Sequence, residues 1–240
     1  MSFEARLERA LSAKGTPKRA EDDKRYLKSA LVHFGVQVPL VRATLDVELA
    51  EVPELDRVEL RRLVEALWAR GIHELRVAAI ELLRTHVERL DARDVPLIER
   101  LLRASKTWAY VDGLAPHVMG PLVVPLPALT ATLDRWATDE DFWLRRAALL
   151  ALLVPLRAGG GDFERFGRYA DAMLEEPEFF IRKAIGWILR DTSRRRPDLV
   201  FAWIAPRAHR ASGVTLHEVV KHLSPAQRNQ LAATRSLRGE

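Results

Sequence analysis

Apolar residues recur at the helical period of about 3.6 along most of this 240-residue chain, and this periodicity limits the fold more than any other feature. The periodic stretches are separated by short breaks that contain Pro, Gly or Asp. No stretch shows the alternation of apolar and polar residues that indicates a half-buried strand. The sequence therefore predicts an all-α fold. The predicted helices cover residues 20–33, 55–69, 74–87, 95–104, 108–117, 126–136, 142–154, 163–174 and 179–190.

Three of the predicted helices have similar sequences, ELRVAAIELLR, WLRRAALLALL and FIRKAIGWILR. If Arg76, Arg145 and Arg182 are equivalent, their separations are close to two periods and one period of a unit of about 35 residues. Helical-pair repeats have this length, and stacked pairs form an α-solenoid in which one helix of each pair lines a concave groove. No linker divides the chain, so we expect a single domain over residues 1–240.

Composition and spacing exclude several classes of site. The chain has no Cys, which removes disulfides, thiolate nucleophiles and Cys-based metal centres. His217 and His222 are five residues apart, so they miss the four-residue spacing that places two zinc ligands on one helix face. The spacing therefore argues against a zinc hydrolase. The charged start of the sequence and the lack of a run of about 18 apolar residues predict a soluble, cytoplasmic protein that does not enter a membrane.

The formal net charge is +5, and its distribution is uneven. Residues 141–240 contain 17 Lys or Arg and 11 Asp or Glu, whereas the first 140 residues contain 21 and 22. An excess of positive charge in one part of the chain suits a polyanion such as DNA or RNA. The run SRRRP, which begins with Ser193 and includes Arg194 and Arg195, either grips phosphates or is a solvated charge run at a helix end.

The segment SKTWAYVDGLAPH contains a carboxylate and an indole at helical spacing. On a helix, Tyr110, Val111 and Leu114 form one apolar side, while Trp108 and Asp112 are four residues apart on another. One interpretation is a solvated Asp beside a partly buried Trp. The other is a carboxylate in an aromatic notch, where its field would stabilise a developing cation.

Two further residues have unusual positions on their helices. Trp187 lies at the border of an apolar stripe, four residues after Lys183 and three before Arg190, which suits either a nucleic-acid surface or an ordinary Trp at a core margin. Arg146 projects from the apolar side of its helix, where a guanidinium is costly unless it meets an anion. That anion is either a partner in a buried salt bridge or a phosphate.

These segments, in this order, resemble the AlkD-type alkylpurine DNA glycosylases, a bacterial family built from HEAT-like helical repeats. The resemblance runs from RYLKSALVHFGVQVP through PEFFIRKAIGWILRDTSRRRPD. The last segment is the most specific, because the family carries a nearly identical phrase around an active-site Trp. The resemblance implies an α-solenoid of HEAT-like repeats with a curved, concave DNA-binding groove.

The resemblance also implies the roles of the site residues. Asp112 would be the catalytic carboxylate at the end of the family's W-x-x-x-D motif, with Trp108 as its first aromatic residue and Trp187 as the second active-site Trp. The chain departs from the motif at Ala109, where the family usually has Asp, and at Tyr110, where a smaller residue is common. A bulkier, less polar notch would then favour different adducts. The DNA contacts that the resemblance implies are Tyr26 and Arg146. The charge pattern adds four candidate phosphate contacts, Lys183, Arg190, Arg194 and Arg195.

The implied activity is hydrolysis of the N-glycosidic bond of cationic N-alkylated purines in duplex DNA, as in base excision repair. The substrates would be 3-methyladenine, 7-methylguanine or bulkier adducts, and the modified base would stay in or near the stack. The reaction needs no metal and no organic cofactor, and we expect a monomer. The alternatives are a non-catalytic HEAT-repeat protein that binds damaged or branched DNA, and a repeat scaffold that binds a partner peptide.

Overall fold

A computed structural model of the protein describes residues 1–52 and 54–236, and these residues are predominantly helical. Within these ranges the nearest approach to strand pairing is an isolated bridge between Val32 and Ile72. The helices are α1 (Phe3–Ser12), α2 (Pro17–Leu27), α3 (Val38–Leu49), α4 (Arg57–Ala69), α5 (His73–Thr85), α6 (Val95–Ser105), α7 (Trp108–Leu114), α8 (Gly120–Val123), α9 (Thr130–Trp136), α10 (Phe142–Leu150), α11 (Leu153–Arg157), α12 (Phe163–Ala172), α13 (Phe179–Ser193), α14 (Pro197–Ile204), α15 (Gly213–Val219) and α16 (Pro225–Ser236).

The chain packs as two compact units. The first contains Met1–Leu101 and Ser105–Leu114, and the second contains Leu102–Ala104 and the chain from Ala115 onward. The single domain over residues 1–240 therefore stays a prediction. No helix in the described part of the chain is both long and apolar enough to cross a membrane.

The core of the first unit is built around α5, which packs against α3, α4 and α7. Most of its side chains are buried, including that of Glu74, which is 0 % exposed. The Glu74 carboxylate accepts hydrogen bonds from the backbone N–H groups of Phe34, Gly35 and Val36 at 3.0, 2.8 and 3.1 Å. A buried carboxylate needs such donors, and here they tie the segment that precedes α3 to the start of α5.

The core of the second unit is built around α13, which packs against α10 on one side and α15 on another. Its buried face contains Ile181, Ala184, Ile185 and Ile188, each 0 % exposed, as the apolar period predicts. Gly186 lies where α13 meets α15. A Cβ built there would be 3.0 Å from Glu218 Cβ and 3.1 Å from the backbone of α15, so the absence of a side chain permits this close approach.

Replacing Gly186 with Ala tests that close approach. Ala favours a helix over Gly by about 0.5–1 kcal/mol, but the new methyl group meets backbone that cannot move aside. We expect a net loss of about 1–2 kcal/mol in the free energy of unfolding, measured by urea denaturation. Gly160→Ala is the control, because a Cβ built at Gly160 would have no neighbouring atom closer than 3.9 Å. Equal stability of Gly186→Ala and the wild type would show that the two helices can separate at no cost.

The three similar segments form α5, α10 and α13, as the repeat pattern predicts. The predicted helix over residues 20–33 ends earlier, because Lys28 adopts a left-handed conformation with φ 48°. Helix α3 was not predicted from the sequence. Its apolar residues do not all face the core, since Val47 is 66 % exposed, and this weakens the apolar stripe on which the prediction of a helix depends. The other helices that the sequence pattern missed are α1, α8, α14, α15 and α16, and the predicted helix over residues 142–154 includes only the first two residues of α11.

Candidate nucleic-acid interface

In the first unit, three predicted site residues lie on α2 and α7, and we call them the α7 site: Tyr26, Trp108 and Asp112. Trp108 begins α7 and is half-buried, and the edge of the Tyr26 ring meets it at a centroid distance of 5.9 Å and an angle of 80°. Asp112 follows one turn later and is also half-buried, whereas Tyr26 is 72 % exposed. The α7 site therefore places the carboxylate of Asp112 one helical turn from the indole of Trp108, and the exposed ring of Tyr26 packs against that indole.

The opposite face of α7 is buried, as the helical wheel predicts, and it contains Tyr110, Val111 and Leu114. The Tyr110 hydroxyl lies 2.8 Å from His73 Nδ1, and its ring meets Trp68 at 5.4 Å. Burial lowers the pKa of His73 to about 4, so the imidazole is neutral near pH 7. The expectation that Tyr110 makes the notch beside Asp112 bulkier is wrong, because this ring is 1 % exposed and packs into the core of the unit.

In the second unit, predicted DNA contacts lie along one edge of α13. Lys183 and Trp187 are four residues apart, and Lys183 and Arg194 are eleven apart. Both spacings place side chains on the same side of a helix, here within an arc of about 80° around the axis of α13. This edge also contains Phe179, which is 53 % exposed and which sequence reasoning missed, although its spacing of four from Lys183 was a usable signal. We call this edge the α13 stripe; its members are Phe179, Lys183, Trp187, Arg190 and Arg194.

Two buried carboxylates, both missed by the sequence analysis, bind the three central residues of the α13 stripe, Lys183, Trp187 and Arg190. Asp191 accepts hydrogen bonds from Trp187 Nε1 at 3.0 Å, Arg157 Nε at 2.9 Å and Arg190 Nε at 3.0 Å. The indole of Trp187 is therefore fixed by a carboxylate one turn later on the same helix. Asp191 is 4 % exposed, and a spacing of four residues after a Trp was the signal in the sequence.

The second carboxylate, Glu218, comes from α15 and is 2 % exposed. It accepts hydrogen bonds from Lys183 at 2.5 Å, Arg190 at 2.5 Å and Lys221 at 2.8 Å. Four cations therefore share two anions, since Arg157 pairs with Asp191, and the cluster keeps a formal charge of +2. Such a cluster holds positive side chains in fixed positions while leaving a net attraction for phosphate.

The two carboxylates are ionised despite their burial. Burial alone would raise the pKa of Glu218, but hydrogen bonds from Lys183, Lys221 and Arg190 outweigh it and bring the pKa to about 2. The pKa of Asp191 is also below its ordinary value, because hydrogen bonds from Arg190 and Arg157 outweigh the opposing effect of burial. Both charges therefore persist across the physiological pH range.

Arg146 on α10 is 2 % exposed. Its guanidinium donates a hydrogen bond to the backbone carbonyl of Phe180 and lies 5.9 Å from the centroid of that ring. It therefore links α10 to the first turn of α13, which is a structural role. Its contact with the DNA backbone stays a prediction.

The cations at the end of α13 are more accessible. Arg194 is exposed, and its Nε lies 3.2 Å from His222 Nε2. Arg195 is exposed too, and the stem of its side chain packs over Gly159. These two residues have the exposure that a phosphate contact requires.

The chain is similar to known proteins over most of its length. Residues 7–223 match the model of a family described as DNA alkylation repair enzyme. A predicted DNA alkylation repair enzyme from Enterococcus faecalis is 25 % identical, with a TM-score of 0.77, and the match covers 88 % of this chain and 98 % of that one. AlkD2 from Streptococcus mutans is 15 % identical, with a TM-score of 0.60 and coverage of 79 % and 91 %. The smu.31 protein of Streptococcus mutans is 16 % identical, with a TM-score of 0.53 and coverage of 83 % and 97 %.

The two Streptococcus mutans structures share the fold with this chain, which confirms the prediction of an all-α helical-repeat protein. None of the curated proteins compared with the chain matches it. The family model covers most of the sequence, including every residue of the α7 site and of the α13 stripe. The chain belongs to the family of DNA alkylation repair enzymes.

Proposed function

We propose that this protein is a DNA glycosylase that hydrolyses the N-glycosidic bond of cationic N-alkylated purines in duplex DNA. The observation that carries the proposal is Asp112, a half-buried carboxylate one turn from Trp108, in a chain that belongs to a DNA repair family. The proposed substrates are 3-methyladenine, 7-methylguanine and bulkier adducts of the same chemistry. Base release by such an enzyme begins base excision repair.

The chemistry needs little acid catalysis. Alkylation of a purine ring nitrogen places a positive charge on the base and makes it a good leaving group. As the glycosidic bond breaks, the sugar becomes an oxocarbenium-like cation, and a fixed carboxylate stabilises it electrostatically or positions the attacking water. We assign this role to Asp112. Trp108 would contact the deoxyribose with its ring face, which attracts a cation. The role of Trp187 in the reaction stays a prediction.

The cations of the α13 stripe and Arg195 would bind the phosphates of the duplex. This part of the proposal is supported by the formal charge of +2 that remains after Asp191 and Glu218 are paired, and by the exposure of Arg194 and Arg195. In our proposal the alkylated base stays in or near the stack and is not drawn into an enclosed pocket.

The test is a single-turnover assay on duplex DNA methylated in vitro, with mass-spectrometric detection of the released base. We expect free 7-methylguanine or 3-methyladenine and an abasic site in the strand. The same duplex without methylation is the control, because its neutral purines are poor leaving groups. Methylated duplex that is bound but stays intact would refute the glycosylase function.

A second candidate function is non-catalytic binding of damaged or branched DNA. It is favoured by the positive cluster around Asp191 and Glu218, which is built independently of Asp112. The base-release assay separates the two functions, because both predict binding and one predicts cleavage of the glycosidic bond.

The salt dependence of duplex binding tests the assignment of the phosphate contacts. Each phosphate contact adds about 0.9 to the slope of log affinity against log salt. We expect Arg194→Ala and Arg195→Ala each to reduce the slope by about one contact. Arg168→Ala is the matched control, because Arg168 is an exposed arginine on α12 paired with Glu164, outside the stripe. The assignment is wrong if the two variants keep the wild-type slope, or if Arg168→Ala changes it as much.

A further inference from the structure

Helix α7 carries the proposed catalytic carboxylate but is only seven residues long. It is followed directly by one turn of wider helix over Ala115–Met119. A helix of this length is not stable by itself, so contacts with the rest of the unit determine its position. The same contacts determine where Asp112 points.

Apolar packing holds α7 against α5 and turns Gly113 towards it, and a directional contact is needed to fix the rotation more finely. A Cβ built at Gly113 would be 2.9 Å from Ile80 Cγ2, so the two helices are already at their closest approach. Val111 and Leu114 are both 0 % exposed, but contacts between apolar groups have little directional preference. A hydrogen bond is directional. Among the three buried residues that the structure describes on α7, Tyr110 is the one with a hydrogen-bonding side chain.

The partner of Tyr110 is itself fixed. His73 is 7 % exposed and begins α5, and its backbone N–H donates to the carbonyl of Val32 at 2.9 Å. Its ring stacks on His33 with a centroid distance of 4.5 Å and an angle of 8°. The Arg76 guanidinium lies 5.9 Å from the centroid of the Tyr110 ring and so packs beside it. The hydroxyl of Tyr110 therefore meets an imidazole that backbone and ring contacts hold still.

We infer that Tyr110 is a positioning residue, which fixes the rotation of α7 through its hydrogen bond to His73. Tyr110 is two residues from both Trp108 and Asp112, so it lies about 160° around the helix from each of them. A side-chain atom about 6 Å from a helix axis moves about 1 Å when the helix rotates by 10°. A displacement of 1 Å can cost about 100-fold in rate.

The inference about rate rests on the proposed glycosylase function, whereas the inference about position does not. Tyr110→Phe keeps the ring and removes the hydroxyl. We expect its single-turnover rate of base release to fall about 10-fold, while the Kd for the duplex stays within about twofold of the wild type. A residue that only stabilised the fold would leave the rate unchanged at a temperature where both proteins are folded.

Tyr169→Phe is the matched control. Tyr169 is 6 % exposed and donates its hydroxyl proton to Asp134 Oδ1 at 2.5 Å, so the substitution removes a hydroxyl hydrogen bond from a buried ring in the second unit. Position is read independently of activity by ¹⁹F NMR of protein labelled with 5-fluorotryptophan, with the resonance of Trp108 assigned through Trp108→Phe. We expect Tyr110→Phe to shift or split that resonance and Tyr169→Phe to leave it in place.

The two measurements separate the possible failures. An unchanged Trp108 resonance in Tyr110→Phe overturns the inference whether or not the wild type releases base. A shifted resonance with an unchanged rate in an active protein overturns it as well, because position would then not matter for the reaction. If the wild type releases no base, the proposed function fails, and the Trp108 resonance alone decides whether Tyr110 positions α7.

Discussion

Replacing Asp112 with Asn is expected to reduce the single-turnover rate of base release about 100-fold to 1,000-fold. Asn has nearly the same shape as Asp but no charge, so the sugar cation loses its electrostatic stabilisation while the packing of α7 is kept. The affinity for duplex DNA is expected to stay within about twofold, because the phosphates are assigned to cations on other helices. The loss should therefore appear in the rate of the chemical step.

The measurement is the single-turnover rate at saturating enzyme, with the Kd determined separately by fluorescence anisotropy. Asp46→Asn is the control, because Asp46 is an exposed carboxylate on α3, outside the α7 site. We expect it to react at the wild-type rate. Equal rates for Asp112→Asn and the wild type would remove Asp112 from the mechanism.

Replacing Glu218 with Gln is expected to lower the free energy of unfolding at pH 7 by about 3 kcal/mol. The value follows from the pKa of Glu218, which is about 2 in the folded protein against an ordinary value of 4.5, at about 1.36 kcal/mol per pKa unit. The physical cause is the loss of the charge that Lys183, Arg190 and Lys221 share. Three cations would then be held together without their anion.

This loss has a defined pH dependence. A carboxylate whose pKa is lowered on folding contributes its full stabilisation above the unfolded pKa, here 4.5, and loses it as the pH falls towards the folded value of about 2. The difference between the wild type and Glu218→Gln should therefore be largest at pH 7 and shrink by about half near pH 3. Urea denaturation at both pH values measures it.

Glu164→Gln is the control for this experiment, since Glu164 forms an exposed ion pair with Arg168 that contributes about 0–1 kcal/mol. A Glu218→Gln protein as stable as the wild type at pH 7 would contradict the assignment of a strongly lowered pKa. Tighter binding of DNA by folded Glu218→Gln at low salt would agree with an ionised Glu218 in the wild type, because the positive cluster of the variant has lost an anion.

The sequence by itself determined the features that depend on local spacing. The helical period predicted an all-α chain, and the similarity of three segments predicted the helices α5, α10 and α13. The same period divided α7 into a buried face with Tyr110 and a second face with Trp108 and Asp112. These predictions succeed because a helix places residues four apart on one side whatever the rest of the chain does.

Only the tertiary structure decided which charged and polar groups meet. Glu218 is 35 residues from Lys183, and Tyr110 is 37 residues from His73, yet each pair is joined by a hydrogen bond. Arg146, which the sequence left between a salt bridge and a phosphate contact, donates to the carbonyl of Phe180. No period in the sequence encodes such pairs, because they depend on how closely two helices approach and which side chains reach across. Burial then makes each pairing necessary, since a charge or hydroxyl without a partner would destabilise the fold.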